Sequence, residues 1–157
     1  MTPPDDARIE AAARCALAGE PPDRDATILA TSQAESMSVV LVATDIDGHR
    51  CRSLVIFDRD AEPTLDAIHS DVVDIDDPDP PLGPSHLAEG LAVFGPPHIV
   101  AVRHADDVTA VVDGSGTILA TPSGTGFVIV TVDETAPFAV HARLHDGAVA
   151  PPLTVGE

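Results

Sequence analysis

The hydrophobic pattern of this chain changes period once. Between residues 7 and 19, Ile9, Ala12, Ala13, Ala16 and Leu17 recur at helical spacing, and the pattern predicts a helix. Asp5 or Asp6 is placed to cap it, and Gly19 ends it ahead of Pro21 and Pro22. From residue 27 onward alternation takes over. Strands are expected at 27–32, 36–45 and 49–58, the last two joined by a hairpin turn at Asp47-Gly48. Within 49–58, His49, Cys51, Ser53, Val55 and Phe57 share one face, and Arg50, Arg52, Leu54 and Ile56 share the other.

Residues 62–86 carry the weakest pattern. Thr64 to Ser70 reads as a helical turn and Val72 to Ile75 as a short strand. The prolines and aspartates from Asp76 to Pro84 read as a loop crossing between two β halves. Strands follow at 90–95, 98–104, 108–113, 117–122, 127–132 and 138–144, and "HDG" at 145–147 opens a last short run. "FVIVTV" (127–132), apolar on both faces, is expected to be central. In 138–144, Phe138, Val140, Ala142 and Leu144 face a core, while His141, Arg143 and His145 face away.

Short strands at regular spacing leave no room for the helical crossovers of a parallel sheet. The expected fold is mainly β: a single antiparallel β-sandwich, Ig-like or related, with one N-terminal α-helix. At 157 residues, 44% of them hydrophobic, the chain is read as a single domain, 1–157.

Charge narrows the function classes. Asp+Glu number 26 against Lys+Arg 8, for a net −18. No lysine occurs, which removes Schiff-base chemistry and a phosphate-loop lysine. Nucleic-acid binding, which rests on cations neutralising phosphate, is disfavoured. The surplus reads as a self-repelling surface, or as a face for a protein with a basic surface. No stretch reaches the roughly 20 apolar residues of a membrane span, so no membrane insertion by this chain is expected. The start lacks the pattern of a signal peptide. As written the chain reads as cytosolic, with an extracytoplasmic home as the alternative if an anchor was removed.

The glycines of "VVDGSGTILATPSGTGFVIVTV" (111–132) invite three chemistries. A phosphate loop fails for want of lysine. A dinucleotide fingerprint fails because the third glycine is missing and strands follow. An aspartic-protease centre fails because Asp113-Gly114-Ser115-Gly116 has the wrong order and no second copy. Turn chemistry fits, with both glycine pairs as hairpin tips.

The acidic run 74–81 fails as an EF-hand, since Pro78 and Ser85 fall where ligands belong. Weak calcium ligation by Asp74, Asp76, Asp77 and Asp79 is the alternative to a solvated loop. His98 and His104 share parity with Val100 and Val102, and His141 and His145 lie four residues apart. His98, His104 and His141 are candidate metal ligands, but their spacing is not that of strand ligand pairs, and surface histidines are the preferred reading. No cofactor is implied.

Cys15 lies at the edge of the helical stripe, and Cys51 on the inward face of its strand. Oxidised, they would staple the helix to the sandwich, by loop-closure arithmetic worth about 3–4 kcal/mol. In a reducing compartment they are ordinary buried thiols. The segments "AARC", "TILATS", "VVLVATDIDGHRCRSLVIF" and "DVTAVVDGSGTILATPSGTGFVIVTV" together resemble the extracytoplasmic β-sandwich regions of uncharacterised actinobacterial membrane proteins. The resemblance spans most of residues 8–148 and rests mainly on turn punctuation. It implies a Cys15–Cys51 disulfide and no known activity. The absence of a transmembrane segment, tyrosine and tryptophan departs from that pattern.

The leading expectation is a non-enzymatic binding or structural β-sandwich module. The alternatives are an acidic inhibitor or immunity-type partner of a basic protein, and a small metal-dependent enzyme using surface histidines.

Overall fold

The computed structural model describes residues 6–21, 26–34, 37–46, 48–58, 64–74, 82–94, 97–133, 135 and 137–156. Among the described residues it is mainly β, with one helix and antiparallel pairing between the strands. The described strands form three sheets, against the two of a single sandwich, and none of the three closes into a barrel. The chain divides into two compact units, Met1–Pro80 and Pro81–Glu157. The division falls inside the proline and aspartate cluster expected to link two β halves, of which residues 76–81 lie outside the described residues.

The first unit is a helix on a four-stranded meander. α1 (Asp6–Leu17) precedes β1 (Ala26–Ala34), β2 (Met37–Ile46), β3 (His49–Asp58) and β4 (Thr64–Asp74), in sheet order β1-β2-β3-β4. Ile9, Ala12 and Ala13 of α1 bury against Val40, Val42, Val55 and Phe57, with Ala16 and Leu17 alongside, so the helical stripe read from the sequence is the docking face. Register places Val40 opposite Val55 and Thr44 opposite Cys51, which sets Cys51, Ser53, Val55 and Phe57 on the helix-facing side. Val39, Leu41, Leu54 and Ile56, on the other face, are buried too. The expected cap Asp5 and the turn residue Asp47 lie outside the described residues. Gly48 has φ 80°, as a tight hairpin turn requires.

The helical turn expected at Thr64–Ser70 is a strand. β4 pairs with β3 from Thr64 to Asp74, with one irregularity opposite Ile56/Phe57. Cross-strand partners explain the outcome: Ser53 and Ser70 share a hydrogen bond of 2.8 Å, and Arg52 bridges to Asp71 at 3.3 Å. Leu65 and Ile68 pack against the helix-side core. Tertiary pairing outweighs a weak local preference.

The second unit holds β5 (Leu87–Val93), β6 (His98–His104), β7 (Val108–Val112), β8 (Ile118–Ala120), β9 (Phe127–Val132), β10 (Phe138–Leu144) and β11 (Leu153–Val155). They form two sheets, β5-β6-β9 and β11-β10-β7-β8. One core joins them: Leu87, Val100, Val102, Val128 and Val130 from the first sheet, Val108, Val111, Val140, Ala142 and Val155 from the second. β9 is buried on both faces, as its composition demands, but it is an edge strand and β6 is the central one. Burial on both faces does not fix a strand's place in the sheet.

Candidate functional site

The stretch 111–132 is built by two different turns. β7 and β8 form a true hairpin, Val112 opposite Ile118, and Asp113 organises its tip. Its Oδ1 accepts from Ser115 N (2.9 Å), Ser115 Oγ (2.7 Å) and Thr117 N (3.0 Å), while Gly116 takes φ 90°. The Ser115 hydroxyl, then the Thr117 amide, hold the Asp113 carboxyl below the usual carboxylate range. A carboxylate so engaged anchors a turn. Gly124 and Gly126, at φ 97° and 87°, are not a hairpin tip: β8 and β9 belong to different sheets, and the glycines carry the chain across. Gly126 O also accepts from His104 N at 2.9 Å.

The expectation of surface histidines fails for two of them. His98 and His104 are buried, because their parity with Val100 and Val102 puts them on the core face of β6. His98 lies stacked on Phe138, ring centroids 5.7 Å apart, and tilted against Phe94 at 5.6 Å. His104 Nδ1 donates to Ala105 O at 2.9 Å, which leaves Nε2 of the neutral ring as an acceptor; that atom is buried and has no partner. The two rings stand at opposite ends of a seven-residue strand, about 20 Å apart at 3.3 Å per residue, and cannot share one ion. His141 donates from Nδ1 to Ala150 O at 3.4 Å, and His145 is exposed at a turn. Asp74 is exposed at the end of β4; Asp76, Asp77 and Asp79 lie outside the described residues. Among the described residues, no three His, Cys, Asp or Glu side chains converge as a metal site.

The expected Cys15–Cys51 bridge is not formed. Both thiols are free, Cys15 half-buried on the flank of α1 and Cys51 buried. The Cys51 Sγ lies 3.7 Å from Ser53 Oγ, part of a polar line running on to Ser70. Opposite it in register, the buried Thr44 Oγ1 has no partner.

One pair went unread in the sequence. His86 takes φ 60°, rare for a non-glycine residue, and its Nδ1 donates to Asp107 Oδ1 at 3.0 Å. Its backbone carbonyl accepts from Ala105 N, so the pair fastens the entry to β5 onto the β6–β7 turn. The residues are 21 apart, and no local signal links them.

Several of the few cations are occupied. Arg14 meets Glu10 at 2.9 Å, Arg50 grips both oxygens of Asp45 at 2.8 and 3.2 Å, and Arg52 meets Asp71. The Arg50 hydrogen bond lowers the Asp45 carboxyl below its usual range. These pairs remove arginines from circulation and leave most carboxylates of a −18 chain uncompensated. No helix among the described residues is long and apolar enough to cross a membrane. No protein-family model, no curated protein and no solved structure matches this chain.

Proposed function

We propose that this protein is a non-enzymatic binding module for a partner with a basic face. The observation that supports the reading is the charge balance at close range. Arg14, Arg50 and Arg52 already hold carboxylates, so the remaining surplus projects a negative field. Such a field steers a cationic partner and raises its rate of encounter. The reactive side chains favour the same reading: Asp113, His86, Ser53 and Ser70 hold turns and strands together.

The finer architecture belongs to the same proposal. The second unit reads as a seven-stranded, Ig-like sandwich. Taken in chain order its strands group as first, second and fifth against third, fourth, sixth and seventh. An immunoglobulin constant domain keeps its fourth strand with the first, second and fifth. Here β8 sits with β7 instead. Such scaffolds carry many functions, so the charge, and not the fold, supports the binding role.

The test is capture of basic proteins on the immobilised chain, followed by titration of each purified candidate at low and high salt. Saturable one-to-one binding that weakens steeply with salt is expected. Complexes indifferent to salt, or formed equally well with acidic proteins, would refute the basic-face reading.

A further inference from the structure

We infer that the outer face of the β11-β10-β7-β8 sheet binds an extended segment of a partner protein, one that carries a carboxylate flanked on each side by an apolar side chain. Alternation assigns that face. Val111, Val140 and Ala142 point into the core, so their neighbours Ala110, Val112, His141 and Arg143 point the other way. Register extends the face sideways: Ile118 of β8 lies opposite Val112, and Val149 bridges to Arg143 on the far side of β10. Ile118 and Val149 are 54% and 55% exposed, so apolar surface lies open at each end. The four strands contain no Asp or Glu, in a chain that has 26 of them.

Arg143 supplies the charge. From beside Val149 its side chain reaches toward the β7–β8 hairpin, where Nη2 donates to Gly116 O at 3.3 Å and fixes the guanidinium across the face. Among the described residues no carboxylate meets it, whereas Arg14, Arg50 and Arg52 each hold one. The two acids at the margins serve their own turns. Asp113 Oδ1 accepts from the Ser115 and Thr117 amides, and Asp146 Oδ1 accepts from Ala148 N at 2.9 Å. The remaining guanidinium N–H groups form the planar fork that a carboxylate meets with two hydrogen bonds. Strand spacing of about 4.8 Å and a rise of about 3.3 Å per residue put Ile118 and Val149 about 16 Å apart. In an extended segment the first, third and fifth side chains share one face and span about 13 Å, and their own reach closes the difference. The pattern apolar-x-acid-x-apolar therefore fits this face, while a small free carboxylate would meet only its centre.

This face selects the charge opposite to that of the basic partner proposed above, so the two readings fail separately: Arg143→Gln should leave capture of basic proteins intact. The experiment is a titration of the full chain followed by its amide NMR signals. Salt of about 0.15 M shortens the Debye length to about 8 Å and so confines the repulsion of the −18 charge. The probes are acetyl-Val-Ser-Glu-Ser-Val-amide and the same peptide with glutamine at its centre. The glutamate peptide should shift the amides of residues 110–118 and 141–149. It should bind at least about tenfold tighter than the glutamine peptide, the worth of one charge-assisted hydrogen bond. Arg143→Gln should abolish that preference, and Arg143→Lys, which keeps the charge but not the fork, should retain only part of it. Ile118→Ser should weaken both peptides. Val72→Ser, at an exposed position in the first unit, should change nothing. Circular dichroism checks that each variant folds, and the lysine variant carries the test if the glutamine one does not. Equal binding of the two peptides, shifts confined to other residues, tighter binding of a lysine-centred peptide, or a preference that survives substitution of Arg143 overturns the inference. Acetate binding as tightly as the glutamate peptide would assign the site to free carboxylates and overturn it as well.

Discussion

Replacing Phe57 with alanine removes the largest fully buried side chain, beneath the helix of the first unit. Its ring packs in one cluster with Ile9, Ala12, Ala13, Val40, Val42 and Val55, and the Arg14 guanidinium carbon sits 5.0 Å from its centroid. Truncating a core phenylalanine costs about 3–5 kcal/mol, because the space left behind is only partly filled by relaxation. The exposed cation over the ring adds about 0.5 kcal/mol. The expected loss is therefore about 4 kcal/mol, a large share of the roughly 5–15 kcal/mol that holds a typical domain. Phe57→Leu, which keeps most of the volume, should cost less than about 1.5 kcal/mol. With no tryptophan or tyrosine, fluorescence is a poor probe. Urea unfolding is better followed by far-ultraviolet circular dichroism, with hydrogen exchange over residues 6–17 and 37–58 as the local readout. At a slope of about 2 kcal/mol per molar urea, the alanine variant should unfold about 2 M earlier. A shift under about 0.5 M, or a leucine variant as costly as the alanine one, would show that the helix does not dock on this ring.

Asp113→Ala should lower the melting temperature at neutral pH more than Asp113→Asn, which keeps a side-chain oxygen for the Ser115 and Thr117 amides. Since the folded carboxyl titrates below its unfolded value, its contribution is complete above the ordinary carboxylate range and fades as pH falls through the folded value. The gap in melting temperature between wild type and Asp113→Ala should be widest at about pH 7 and should narrow progressively as the pH is taken below the usual carboxylate range near 4; a gap constant with pH refutes the role. His104→Phe exchanges a ring with a buried, unpartnered nitrogen for an apolar ring of similar shape. Removing an unsatisfied buried acceptor recovers up to about 1 kcal/mol net of the lost bond to Ala105, so the melting temperature should hold or rise by a few degrees, and a clear fall in calorimetry would refute it.

The sequence made the helix and most strands legible because their side chains alternate between a buried and a solvated face. It failed where contacts distant in the chain decide. Thr64–Ser70 contains no strong strand signal, and only its ladder to β3 makes it extended. Gly90 looked like the start of a strand that in fact begins at Leu87. It lies inside β5 where an added Cβ would stand 3.0 Å from Ala101 O, a constraint invisible without the neighbour. The histidines were misplaced for a related reason: parity with Val100 and Val102 put His98 and His104 on the core face, but the lack of metal-ligand spacing was read as a surface placement. The Asp113 turn was legible because its donors lie within four residues. The His86–Asp107 pair was not, because its partners lie 21 apart.

The pairing orders of the two units set different folding tempos. In the first, every strand pairs with its neighbour in sequence, so each hairpin closes over a short loop. In the second, β6 must wait for β9, with His98 finding Val132, and β7 must wait for β10. The short strand β11 joins through three pairs with β10, Phe138 to Val155, Ala139 to Thr154 and Val140 to Leu153. Non-local pairings slow folding because loop entropy is lost before contacts repay it. During synthesis the meander can therefore form while the second unit is still incomplete, leaving the valine-rich strands β6 and β7 as the longest-lived unpaired edges of the nascent chain.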